Sequence, residues 1–202
     1  IADETAQQAV LFDAPDNITI QLGAQADTFY VPVTKAGLTT VLKAGGGFDK
    51  VYVGTVAGAE SAGSLNGIQG VFYIDGQGPE AQDELYFNDQ SNTLGQTFTI
   101  SNALEPLVTL QGGKSWHFDT TTVSRSGMAD IHYRRFETVA LNGGQGNDTV
   151  DLRSTHREQD PNGGKNASFT VNGGAGDDTI NIGEPVTGGY SLTSFNIFVP
   201  PA

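Results

Sequence analysis

The sequence predicts an all-β chain wound as a right-handed parallel β-helix, a β-solenoid with rungs of about thirty residues, and three observations carry that expectation. Residues 141–150 (LNGGQGNDTV) and 171–180 (VNGGAGDDTI) are copies of one pattern, G-G-x-G-x-D-x-U, where U is a large aliphatic residue. Weaker copies recur through the chain at a mean step of about thirty residues. After each anchoring aspartate the second and fourth residues are apolar almost without exception. A glycine turn permits positive φ and close backbone stacking, and alternation after it is the mark of a strand with one buried face.

In chain order the anchoring aspartates are Asp27, Asp49, Asp83, Asp119, Asp148 and Asp178, so the steps are 22, 34, 36, 29 and 30 residues. The pairs that follow them are Phe29/Val31, Val51/Val53, Leu85/Phe87, Thr121/Val123, Val150/Leu152 and Ile180/Ile182. Recurrence of this alternation predicts that the six strands stack on one another, with Val150, Leu152, Ile180 and Ile182 inward and Thr149, Asp151, Thr179 and Asn181 outward. Right-handedness is the rule for crossovers between parallel strands. A longer period is also present: Asp27 answers Asp148 at a separation of 121, and Gly45 answers Gly174 at 129. The chain is therefore read as one continuous segment, 1–202, of six or seven rungs cut from a longer repeat polypeptide.

Composition agrees. Glycine accounts for 27 of 202 residues, only 16% are charged, and Trp and Met occur once each, so neither a long amphipathic helix nor a membrane-spanning run is present. With 23 acidic against 10 basic residues the net charge is −13, which disfavours nucleic acid and anionic lipid and makes cations the natural partners. The absence of cysteine excludes disulfide and thiol chemistry. Sequons stand at Asn17, Asn147 and Asn166.

The sentences at 143–150 and 173–180 resemble the RTX, or hemolysin-type, calcium-binding repeat, and the wider pattern over about 17–183 resembles a long repeat of very large extracellular proteins. The resemblance implies a secreted or cell-surface protein in which calcium lies between stacked turns. Its ligands here would be Asp148 and Asp178, with Asn147 and Asp177 as additions and backbone carbonyls of Gly143, Gly144, Gly173 and Gly174 completing an oxygen shell. The chain departs from the family in repeating every thirty residues instead of in tandem nines. A second reading of the same aspartates stays open, in which each carboxylate accepts neighbouring backbone amides and closes its turn.

The function expected is that of a non-enzymatic extracellular building block, as a filament, surface layer or adhesin stalk. Open strand edges with no capping helix, blunted only by Pro200-Pro201, predict head-to-tail self-association. The alternative is a calcium-dependent β-helix that binds or cleaves carbohydrate, with surface glycans as partners. Its catalytic cluster would be drawn from Trp116, His117, Asp119, His132, Arg134, Arg135, His156, Arg157 and Glu158. These histidines lack metal-ligand spacing, and no hydrolase, zincin or phosphate-loop motif is present. Threonine runs at 97–99 and 120–122 raise a third reading, a flat ice- or sugar-binding face, although threonine on an exposed strand face is also a good β former.

Overall fold

The computed structural model describes residues 17–77, 82–104, 108–109, 115–116, 119–155, 168–183 and 195–198. Among them the chain is all-β, with two mainly parallel sheets and one short 3-10 turn, Leu65–Gly67. The first half visits the sheets alternately: β1 (Asn17–Gln21), β3 (Thr39–Lys43) and β5 (Phe72–Asp75) lie in one, and β2 (Thr28–Val31), β4 (Lys50–Val53) and β6 (Glu84–Asn88) in the other. The second half does the same with β12 (Thr138–Asn142), β13 (Thr149–Leu152), β14 (Ser168–Asn172), β15 (Thr179–Ile182) and β16 (Phe195–Phe198).

Between the halves the alternation breaks. β7 (Thr97–Leu104), β10 (Asp119–Arg125) and β11 (Ile131–Arg134) follow one another within a single sheet, with the two-strand pair β8 (Val108–Thr109) and β9 (Ser115–Trp116) on the way. β10 runs antiparallel to both β7 and β11. The result is an eight-stranded sheet in the order β1-β3-β5-β11-β10-β7-β13-β15, facing a six-stranded sheet in the order β2-β4-β6-β12-β14-β16.

Pairing is in register, so side chains of one kind form columns. In the six-stranded sheet Val51, Leu85, Val139 and Phe169 face inward in one column and Val53, Phe87, Leu141 and Val171 in the next. In the eight-stranded sheet Leu42 and Ile74 belong to one column, while Ile100 and Leu152 belong to another. These residues and their neighbours form one continuous core between the sheets. The outer faces carry columns as well. Tyr30, Tyr52 and Tyr86 stack with centroids 5.1 and 4.8 Å apart, and Asn172 donates to Asn142 (2.6 Å), which donates to Asn88 (2.8 Å).

The alternation holds in the strands after Asp49, Asp83 and Asp148, fails after Asp119, where Thr120, Thr121, Thr122 and Val123 are all buried, and the expectation that all six strands stack together does not hold. The strands after Asp27, Asp49 and Asp83 lie in the six-stranded sheet, whereas those after Asp148 and Asp178 lie in the eight-stranded one. Asp119 opens the antiparallel strand β10. The glycine pattern reports a turn, not a sheet: in the first half it marks turns into the six-stranded sheet, in the second half turns into the eight-stranded one. The three consecutive strands β7, β10 and β11 stand where one strand would, so Glu137, before β12, stays on the edge of Asp27, Asp49 and Asp83. In the core, Val150 and Leu152 are buried as expected, but Ile182 is 48% exposed because β15 is an edge strand.

Candidate functional site

The chemistry-bearing residues collect at the turns between the sheets. Gly45 and Gly174 show why these turns need glycine: each has φ near +100°, at +103° and +100°, and a Cβ there would overlap the carbonyl oxygen of Gly23 or Gly144 in the turn stacked against it. Only glycine tolerates both the dihedral and the approach.

Stacked turns place these carboxylates one above another, and each accepts the backbone amide of the residue at the equivalent place in the adjoining turn. The Asp27 amide donates to Asp49 Oδ1 (2.8 Å), the Asp49 amide to Asp83 Oδ1 (2.9 Å) and the Asp83 amide to Glu137 Oε2 (2.7 Å). At the opposite edge the Gln96 amide donates to Asp148 Oδ1 (2.7 Å) and the Asp148 amide to Asp178 Oδ1 (2.8 Å). The second oxygen can close its own turn, as where Gly23 N–H reaches Asp27 Oδ2 (3.0 Å) and Gly144 N–H reaches Asp148 Oδ2 (2.8 Å). Bonds of this kind satisfy amides that would otherwise be orphaned at a turn.

The ladders run through the interior of the corners. Asp49, Asp83 and Asp148 are buried, and among the described residues Oδ2 of Asp49 and of Asp83 has no donor. Burial raises all three above the usual carboxylate range, and it pushes Asp83 up to about 7. Neighbouring carboxylates add to the rise: Asp27 at Asp49, Asp49 and Glu137 at Asp83, and Asp178 at Asp148.

All eight residues named as calcium ligands sit in the two stacked turns 142–148 and 172–178. Asp148 and Asp178 share the ladder, and Asn147 Oδ1 accepts from the Asp177 amide (3.0 Å). Gly143 N–H donates to the Asn172 carbonyl (2.7 Å), and the Gly144 carbonyl accepts from Ala175 N–H (3.0 Å). Gly173 lies against the Asp178 carboxylate, and Gly174 against Gly144. Among the described residues no three His, Cys, Asp or Glu side chains converge in a way that could hold a metal.

Of the cluster named for the carbohydrate reading, His132, Arg134 and Arg135 can be followed, and each is engaged within the fold. His132 is buried, stacks on Tyr73 at 4.6 Å and has Nδ1 3.0 Å from Thr122 Oγ1. Arg134 and Arg135 both close on Asp75, at 2.7 Å and in a two-pronged contact at 2.7 and 2.6 Å. The side chains of Trp116, His117 and Asp119, residues His156, Arg157 and Glu158, the sequon at Asn166 and Pro200-Pro201 lie outside the described residues.

No family model matches this chain. No curated protein and no solved structure matches it either. Two parts of the site escaped the sequence reading. Glu137 completes the first ladder without a glycine before it, and the signal was Glu137-Thr138-Val139, which reads as Asp148-Thr149-Val150 does. Arg125, buried, pairs with buried Asp89 (3.2 Å) and reaches Asn66 Oδ1 and Gln96 Oε1, each at 2.7 Å, with its guanidinium 5.7 Å from the Phe98 ring centre. Nothing in the local pattern marks a buried arginine, because position 125 continues the inward parity of Thr121 and Val123.

Proposed function

We propose that the chain is a non-enzymatic extracellular structural element, a right-handed parallel β-helix of RTX-like character whose stacked turns are held by carboxylate-to-amide ladders. The observation that carries this reading is the ladder itself: Asp27, Asp49, Asp83, Asp148 and Asp178 spend their carboxylates on backbone amides of their own or the adjoining turn. Acidic groups so used act as cross-rung fasteners and leave the chain as a shaft. The columns of tyrosine and asparagine on the outer face are of the same kind, each contact joining one strand to the next. The handedness follows the crossover rule.

In this reading the amide donors do for Asp148 and Asp178 what calcium does in the family the turns resemble. The extracellular assignment rests on that resemblance. It is tested with antibody raised against the purified chain and applied to intact and to permeabilised cells of the source organism. Labelling of intact cells or of their shed matrix is expected. Labelling that requires permeabilisation would overturn the placement.

A further inference from the structure

The two ends of the described fold are complementary to each other. One end presents the edges of β1 and β2, the other the edges of β15 and β16. All strands of the eight-stranded sheet except β10 point the same way, so β15 and β1 have the polarity that parallel pairing needs. Their patterns match position by position: Thr179-Ile-Asn-Ile182 against Asn17-Ile-Thr-Ile20. Ile180 is only partly buried and Ile182 is 48% exposed, while Ile18 and Ile20 on β1 are half-buried. In the interior, columns of this kind are covered from both sides, as Leu152 is.

The ladders end unfinished in opposite senses. Along each ladder the amide at the aspartate position donates to the carboxylate of the next turn, from Asp27 to Glu137 on one edge and from Gln96 to Asp178 on the other. Among the described residues the Asp178 amide has no acceptor, and Asp27 Oδ1 has no donor. These two open groups belong to ladders on opposite edges and do not face each other, so the ladders leave room for a further rung at each end and the match between the ends is carried by the strands. In sequence, moreover, Asp16 stands immediately ahead of β1 as Asp178 stands ahead of β15, although Asp16 lies outside the described residues.

We propose that these ends bind each other between copies of this chain, head to tail, with β15 of one copy beside β1 of the next and β16 beside β2. This rests on the stacked-rung reading above. The register is Thr179 on Asn17, Ile180 on Ile18, Asn181 on Thr19 and Ile182 on Ile20, the spacing that already joins Thr149 to Thr179 and Val150 to Ile180 within the chain. Such a heterologous contact does not use itself up, so it propagates. Each copy carries a net charge of −13, which opposes the contact and makes it strengthen with salt.

The chain has no cysteine, so introduced thiols report alone. The full chain carrying Thr19→Cys and Asn181→Cys, oxidised at about 0.5 M salt where exposed charges are well screened, is expected to give a ladder of covalent multimers on a denaturing gel. Thr19→Cys with Thr179→Cys is slipped by two residues, beyond the roughly 7 Å that a disulfide spans between Cα atoms, and is expected to give few. Thr149→Cys with Thr179→Cys joins register partners within one chain and is expected to close internally. An internal bridge without multimers from the first pair would overturn the junction and leave the stacked rungs standing. Absence of the internal bridge would overturn both, and equal multimers from the slipped pair would overturn the register.

Discussion

Asp148 takes one amide from the turn beside it and another from its own turn, and its side chain is only 1% exposed. Asp148→Ala would leave the amides of Gln96 and Gly144 buried without acceptors, at about 1–3 kcal/mol each. A loss of about 2–5 kcal/mol is therefore expected in urea unfolding. Asp178→Asn keeps an acceptor oxygen for the Asp148 amide and should cost about 1 kcal/mol or less. The same two variants separate the turn-closing account from calcium. With amides already seated on both oxygens of Asp148, the thermal midpoint is expected to stay constant up to millimolar calcium. A midpoint that climbs with calcium, and ceases to climb in Asp178→Asn, would assign the metal instead. Asp83 makes the fold sensitive to acid in an unusual direction. Its folded value of about 7 lies above the unfolded value near 4, so its stabilisation is full below about 4 and is lost as pH rises through about 7. Asp49 and Asp148 are raised in the same sense. The midpoint at pH 5 should exceed that at pH 8, and Asp83→Asn should flatten the difference; a midpoint that rises over this range would contradict the buried ladder.

At the scale of elements, β7, β10 and β11 together take the place of one strand in the alternation between the sheets, and Arg125 holds them there. The hairpin turn after β10 bonds to the preceding loop through Ala129 N–H to the Ile68 carbonyl and Gln69 Nε2 to the Gly127 carbonyl. Arg125 bridges that loop, at Asn66, to the turn before β7, at Asp89 and Gln96. Arg125→Met strands a buried carboxylate and should cost about 3–5 kcal/mol, and Asp89→Asn in the same chain should return a large part of it. Chemical denaturation of the two single variants and the double closes the cycle; additive losses would show that the pair is not coupled. The strands themselves were legible, since Val51/Val53 or Val150/Leu152 announce an inward face wherever they occur. Their assignment to sheets was not. In sequence Thr121 and Val123 alternate as any strand does, and alternation carries no mark of whether a neighbour runs parallel or antiparallel. The long period between Asp27 and Asp148 therefore matched two turns of like geometry that sit on opposite edges. Likewise the aspartates were legible as turn residues from the glycines before them, while Glu137 and the Arg125–Asp89 pair required knowing which turns lie next to one another.

For the molecule as a whole, a net charge of −13 acts on a core held by columns of apolar contact and by buried carboxylates. Self-repulsion weakens the compact state at low ionic strength. The midpoint is expected to rise with sodium chloride and to level off once the Debye length falls to about 5 Å, toward ~0.5 M. A midpoint indifferent to salt would mean that the ladders, shielded in the corners, leave little net repulsion between exposed groups.

Eight strands on one side and six on the other also impose a geometry that outlasts the single copy. At about 4.8 Å per strand the longer wall gains roughly 10 Å over the shorter, about the distance that separates two packed sheets. Two walls of unequal length meet only if their ends splay, although sheet twist takes up part of the difference. Under the head-to-tail proposal that difference recurs at every junction, so the filament it describes bends or coils instead of running straight.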